Sequence, residues 1–138
     1  MNINMKRVFI GGIIAGLIII ASAMIMVPVV GKEMEMALAR FNLPPLSNIA
    51  MTYFGIVSLI LGIILVWIYA LVLPRLGHGI KTAVIVSLIV WFLAYLLANV
   101  SMIAYGFMPV KLTVIGTAWG LVELVIASVI GTRFYKEK

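Results

Sequence analysis

The chain has 138 residues, 65% of them apolar and only 10% charged, against ~45–50% and ~25% in soluble domains. A water-soluble fold of this length has too little interior to hide so much apolar surface, so the composition excludes one and predicts contact with lipid. The net charge of +6 comes from basic residues at the ends of apolar segments, which points to membrane topology and lipid headgroups and away from nucleic acid.

Four stretches reach the ~20 apolar residues needed to cross a bilayer: Val8–Val30, Ile49–Leu73, Ile80–Tyr105 and Val110–Gly131. Each is apolar on nearly every side, without strand-like alternation, which is the pattern of a membrane helix. The predicted architecture is all-α: an integral membrane four-helix bundle, antiparallel and up-down, forming one domain over 1–138. No cysteine is present, so disulfides, thiolate metal sites and cysteine nucleophiles are excluded.

The first segment follows Lys6 and Arg7 and contains Ala21-Ser22-Ala23. A basic start, an apolar run and an A-x-A site resemble a signal peptide whose cleavage would remove residues 1–23. The apolar run continues to Val30, a full spanning length, which favours an uncleaved transmembrane helix. Gly12 and Gly16, with Gly11, Ala15 and Ala23 near the same side, offer a face for close helix approach.

The first connection predicts a short interfacial helix over residues 32–41, because Met34, Ala37, Leu38 and Phe41 share one helical side. Pro44 and Pro45 stop it, and Ser47 or Asn48 is placed to cap the next helix. That second helix carries Ser58 and Gly62 for packing, has Trp67 and Tyr69 as interfacial aromatics, and is expected to end at Pro74. The link through His78, flanked by glycines, forces a hairpin; His78 reads as an exposed turn residue. On the third helix, Ser87, Trp91, Tyr95, Ala98, Asn99 and Met102 fall within an arc of about 120°. A tight turn at 105–109 leads into the fourth helix.

Counting lysine and arginine by side sets the orientation. With the N-terminus inside, Lys6, Arg7, Arg75, Lys81, Arg133, Lys136 and Lys138 lie inside, and Lys32, Arg40 and Lys111 outside. Both termini are therefore expected in the cytoplasm.

Glu123 is an acid near the middle of the last apolar stretch. A charged side chain at that depth costs at least ~2.5–3.5 kcal/mol, and no lysine, arginine or histidine lies level with it. It shares a helix side with Thr113, Gly116, Gly120, Ala127 and Gly131, with Trp119 nearby, so it is expected to face a helix and not lipid. Depth matching across the 105–109 turn puts Glu123 level with about Trp91, with Tyr95 one turn further out, so their N–H and O–H groups are the expected partners. The candidate binding or proton-relay set is Glu123, Trp91, Tyr95, Asn99 and Trp119. No catalytic residue, metal site or cofactor is predicted. Met24 and Met26, or Met34 and Met36, suggest Cu(I) ligands by softness, but residues two apart on a helix diverge by ~200° and cannot chelate together.

In length and helix count the chain is similar to the small multidrug resistance transporters. The essential glutamate of that family lies in its first helix, and Val8–Val30 has no acid, so no function is carried over. From Lys81 onwards, Lys81-Thr82-Ala83, Trp91-Phe92-Leu93 and Trp119-Gly120-Leu121-Val122-Glu123, followed by a short basic tail, resemble small bacterial four-helix inner-membrane proteins of unassigned function. That resemblance implies a bacterial inner-membrane location and no activity. The leading expectation is a non-enzymatic module, either an accessory subunit or a small-molecule binder. The first alternative is a proton- or cation-coupled small-molecule transporter using Glu123; the second is an enzyme acting on a lipid-soluble substrate. Expected partners are the bilayer and a second copy or another membrane protein.

Overall fold

A computed structural model describes residues 3–137. Four helices account for most of them, and each is long and apolar enough to cross a membrane: α1, Met5–Ala39; α2, Asn48–Leu76; α3, Ile80–Ala104; and α4, Val110–Thr132. Short polar side chains begin the first two. The Asn4 Oδ1 accepts from the Arg7 N–H at 3.3 Å, and the Ser47 Oγ accepts from the Ala50 N–H at 3.2 Å, each satisfying one of the donors that a helix start leaves unpaired.

Two boundaries differ from expectation. The separate interfacial helix over 32–41 does not form; residues 32–39 are the last turns of α1. Gly31 alone costs a helix only about 1 kcal/mol, so the helix runs on until the turn at Arg40–Asn42, where Asn42 takes a positive φ of 55°. Pro28 does not interrupt it either. Likewise α2 passes Pro74 and ends at Leu76. Proline removes only its own N–H, and the Gly77 N–H still reaches the Leu73 carbonyl at 2.8 Å, which closes a final turn beyond it.

The helices form a ring in which α1 packs on α2 and α4, and α3 on α2 and α4, with α1 and α3 at opposite corners. The seam between α1 and α2 depends on glycine. A Cβ at Gly12 would lie 2.5 Å from the Ile63 Cα and one at Gly16 2.7 Å from the Leu59 Cα. A Cβ at Gly62 would run into the Gly12 carbonyl oxygen and the Gly16 nitrogen. Position along α2 therefore falls as position along α1 rises. Gly11 meets Gly131 of α4 in the same manner, and at the opposite end Lys111 Nζ bonds Glu33 Oε1 at 2.8 Å. Gly11, Gly12, Ala15 and Gly16 of α1 and Gly120, Ala127 and Gly131 of α4 are thus consumed inside the bundle, while Ala23 and Gly116 are exposed.

Val8, Ala15, Leu65, Val66, Val86 and Leu124 are fully buried, while Leu17, Ile60, Leu93 and Val122 point outwards and are exposed. Tyr69 departs from its expected interfacial role: it is buried, and its hydroxyl accepts from the Gly79 N–H at 3.2 Å. Trp67 remains exposed.

Candidate functional site

Glu123 lies on the inward side of α4 and is only 7% exposed. One turn before it stands Gly120 and one turn after it Ala127, both buried. The glycine is a requirement of space. A Cβ there would fall on the Tyr95 ring, 2.5 Å from its Cε1, so the ring of Tyr95 occupies the room that Gly120 leaves. Held there, the Tyr95 hydroxyl donates to Glu123 Oε1 at 2.7 Å.

Tyr95 reaches that position through an irregularity in α3. Residues Phe92–Leu96 form a π-helical turn, in which hydrogen bonds span five residues and the side chains beyond it are rotated relative to a regular helix. Depth matching across the 105–109 turn sets Trp91 level with Glu123. In the structure Trp91 Nε1 donates instead to the Thr117 carbonyl at 2.8 Å, and Asn99 Nδ2 donates to the Thr117 Oγ1 at 2.7 Å. The Thr117 hydroxyl in turn donates to the Thr113 carbonyl at 2.7 Å.

The third wall comes from α1. Ser22 lines the same cleft as Glu123, and Trp119 Nε1 donates to Ser22 Oγ at 2.8 Å. The result is two hydrogen bonds, Trp119 to Ser22 and Tyr95 to Glu123, that tie α4 to α1 and to α3.

Of the five residues predicted for the site, Glu123, Tyr95 and Trp119 gather at or beside this cleft, while Trp91 and Asn99 form a separate cluster around Thr117. The two clusters are about 9 Å apart along α4 at 1.5 Å per residue. Gly116, expected beside Glu123, is exposed with open space where its Cβ would be. Ser22 and Thr117 escaped the sequence reading. Ser22 is the one hydroxyl in Val8–Val30, a signal absorbed there by the A-x-A pattern. Thr117 repeats Thr113 at a spacing of four, so it shares that helix side.

Two clefts border these clusters. One, of about 340 Å³, opens between α1 and α4 and is lined by Ile18, Ser22, Ile25, Trp119, Glu123 and Ile126. The other, of about 360 Å³, lies between α3 and α4 beside Trp91, Asn99 and Thr117. The first is an apolar slot with a carboxyl group at its wall, which suits a small apolar molecule carrying one hydrogen-bond donor or a cationic group. The methionine pairs diverge as helix geometry requires: Met26 is buried while Met24 is exposed. Among the described residues, no three histidine, aspartate or glutamate side chains gather as metal ligands would.

Comparison with known protein families, with curated proteins and with solved structures returns no match.

Proposed function

We infer that the chain is a multi-pass protein of a bacterial inner membrane, an antiparallel up-down bundle with both termini in the cytoplasm, serving as a non-enzymatic small-molecule-binding or accessory module. The reversed register of α1 on α2, of α1 on α4 and of α3 on α4 supports the up-down arrangement. The distribution of lysine and arginine supports the orientation. At 35 residues, α1 measures about 52 Å at 1.5 Å per residue, longer than the ~30 Å hydrocarbon layer, so its last turns project through the outer interface. Retention of α1 is part of this reading, since Ser22 contributes to the site.

The observation that carries the functional reading is the Glu123 carboxyl group: it stands at the wall of an otherwise apolar cleft and is held by a neutral donor, the Tyr95 hydroxyl of α3. Fixed donors orient a recognition group without supplying a nucleophile or a second acid, which favours binding over catalysis. One observation favours a second reading, a proton- or cation-coupled carrier. The same carboxyl group ties α3 to α4 through Tyr95, so a change in its protonation would alter the hydrogen bond that holds them.

Infrared difference titration in liposomes, wild type against Glu123→Gln, separates the two. A binding or accessory module shows a Glu123 carboxyl band that is insensitive to bulk pH and exchanges slowly with deuterium, and its variant loses stability. A band that titrates near neutral pH and exchanges quickly, in a variant that still folds, identifies the carrier and rejects the module.

A further inference from the structure

At the end of the bundle where α1 begins and α4 stops, a second site stands apart from Glu123. Gly11 against Gly131 brings the start of α1 to this end, together with the α2–α3 link and the residues after Thr132. A hollow of about 230 Å³ opens here, lined chiefly by Tyr69, His78, Gly79, Thr132, Arg133 and Tyr135. A volume of that kind needs only ~10–15 Å³ to hold one water, so there is room for a polyatomic ion.

The polar lining is one of donors. Tyr135 is 4% exposed, and its hydroxyl is buried with no hydrogen-bond partner among the described residues. Leaving a buried hydroxyl unpaired forfeits its hydrogen bond to water without replacement, so its persistence asks for an acceptor. Its ring meets Tyr69 edge-on, with centroids 6.2 Å apart. The Tyr69 oxygen accepts from the Gly79 N–H, which leaves the phenol proton of Tyr69 available as well. Thr132 gives its proton to the Ser128 carbonyl at 2.7 Å. Arg133 adds a permanent positive charge with forked N–H groups, and His78 lines the same hollow. Among the described residues no carboxylate lines the hollow; Glu137 borders a neighbouring one that His78 also lines. Lys6, Arg7, Arg75, Lys81 and Lys136 surround this end of the molecule.

We propose that the hollow between Tyr69, His78, Arg133 and Tyr135 binds a phosphate group, carried either by an anionic lipid headgroup or by a free phosphate compound. A phosphate offers several acceptor oxygens to a set that has two hydroxyl protons and a guanidinium to give, and the guanidinium fork matches it in shape and charge.

The full-length protein is tested with two probes. Native mass spectrometry counts lipid adducts after exchange into detergent containing equal phosphatidylglycerol and phosphatidylcholine. Phosphorus NMR follows inorganic phosphate added to the protein in phosphatidylcholine nanodiscs. The expected result is selective, saturable binding in at least one arm. Arg133→Gln weakens it about tenfold, Tyr135→Phe several-fold, and Lys111→Gln, at the far end, leaves it unchanged. Phosphatidylglycerol retention alone identifies the lipid headgroup, and phosphate broadening alone identifies a soluble phosphate. Absence of binding in both arms overturns the proposal. So does a folded Tyr135→Phe protein that binds as the wild type does, since that hydroxyl would then be only an unpaired group. Because Tyr135→Phe deletes a single atom, it carries the test even where Arg133→Gln misfolds, which circular dichroism would reveal.

Discussion

Glu123, Tyr95 and Gly120 act as one unit, because the ring of Tyr95 fits only where Gly120 lacks a side chain and its hydroxyl ends on the carboxyl group. Tyr95→Phe keeps the ring and deletes the bond. Hydrogen bonds between helices within membranes are worth ~0.6–2 kcal/mol, and a loss of that size is expected in reversible unfolding from mixed micelles. Gly120→Ala leaves the hydroxyl in place but forces the ring aside, with an overpacking cost of about 1–3 kcal/mol. Both variants should move the infrared carboxyl band of Glu123 by the same amount, because both end with Tyr95 detached. If Gly120→Ala leaves the band where it is, the ring has another way to accommodate the methyl group and the glycine is not what positions Tyr95.

Among the elements, the α1–α2 pair depends on backbone approach and α3 on a break in regularity. The Cβ of a substituted Gly62 would meet backbone atoms of Gly12 and Gly16, and backbone, unlike a flexible side chain, cannot turn away. Gly62→Leu is therefore expected to lose ~3 kcal/mol or more and to release α1 from α2. Gly55→Ala supplies the contrast. Nothing lies within 4 Å of its would-be Cβ, so alanine there should be neutral or stabilising by up to about 1 kcal/mol through helix propensity. Equal unfolding midpoints for the two variants would contradict the packing described. The π-turn at Phe92–Leu96 has the opposite character: it gives up regular hydrogen bonding in the middle of a span and in return directs Tyr95 towards α4.

As a whole, the molecule presents apolar side chains outwards along all four helices and concentrates positive charge at one end. With no native cysteine, single cysteines report sidedness without background. Under the proposed orientation, Leu43→Cys reacts with an impermeant maleimide added to intact spheroplasts. Lys136→Cys reacts only after the membrane is opened. Labelling in the reverse order would invert the topology and move the phosphate hollow to the outer leaflet.

How much of this was legible depended on the range of the interaction. Segment lengths, composition and the isolation of Glu123 in an apolar stretch are properties of the chain itself, because lipid solvation acts on each segment separately. Hence the four helices, and the involvement of Glu123, Tyr95 and Trp119, could be read directly. The small-residue side of α1 was likewise visible, since helical spacing alone aligns Gly12 with Gly16. The rest required three dimensions. A continuous α1 through residue 39 depended on there being no stop strong enough to oppose it, and local helix propensity alone did not settle that. Depth matching brings Trp91 and Asn99 close to α4, but that both meet Thr117 was decided by how α3 and α4 dock. Ser22 is 101 residues from Glu123 by number, and Tyr69 and Tyr135 meet only because α2 and the end of α4 approach each other across the bundle. The sequence by itself determined what each segment must be in lipid. Which polar groups meet was decided by the tertiary structure, because hydrogen bonds act over about 3 Å and a rotation of one residue along a helix carries a side chain out of reach.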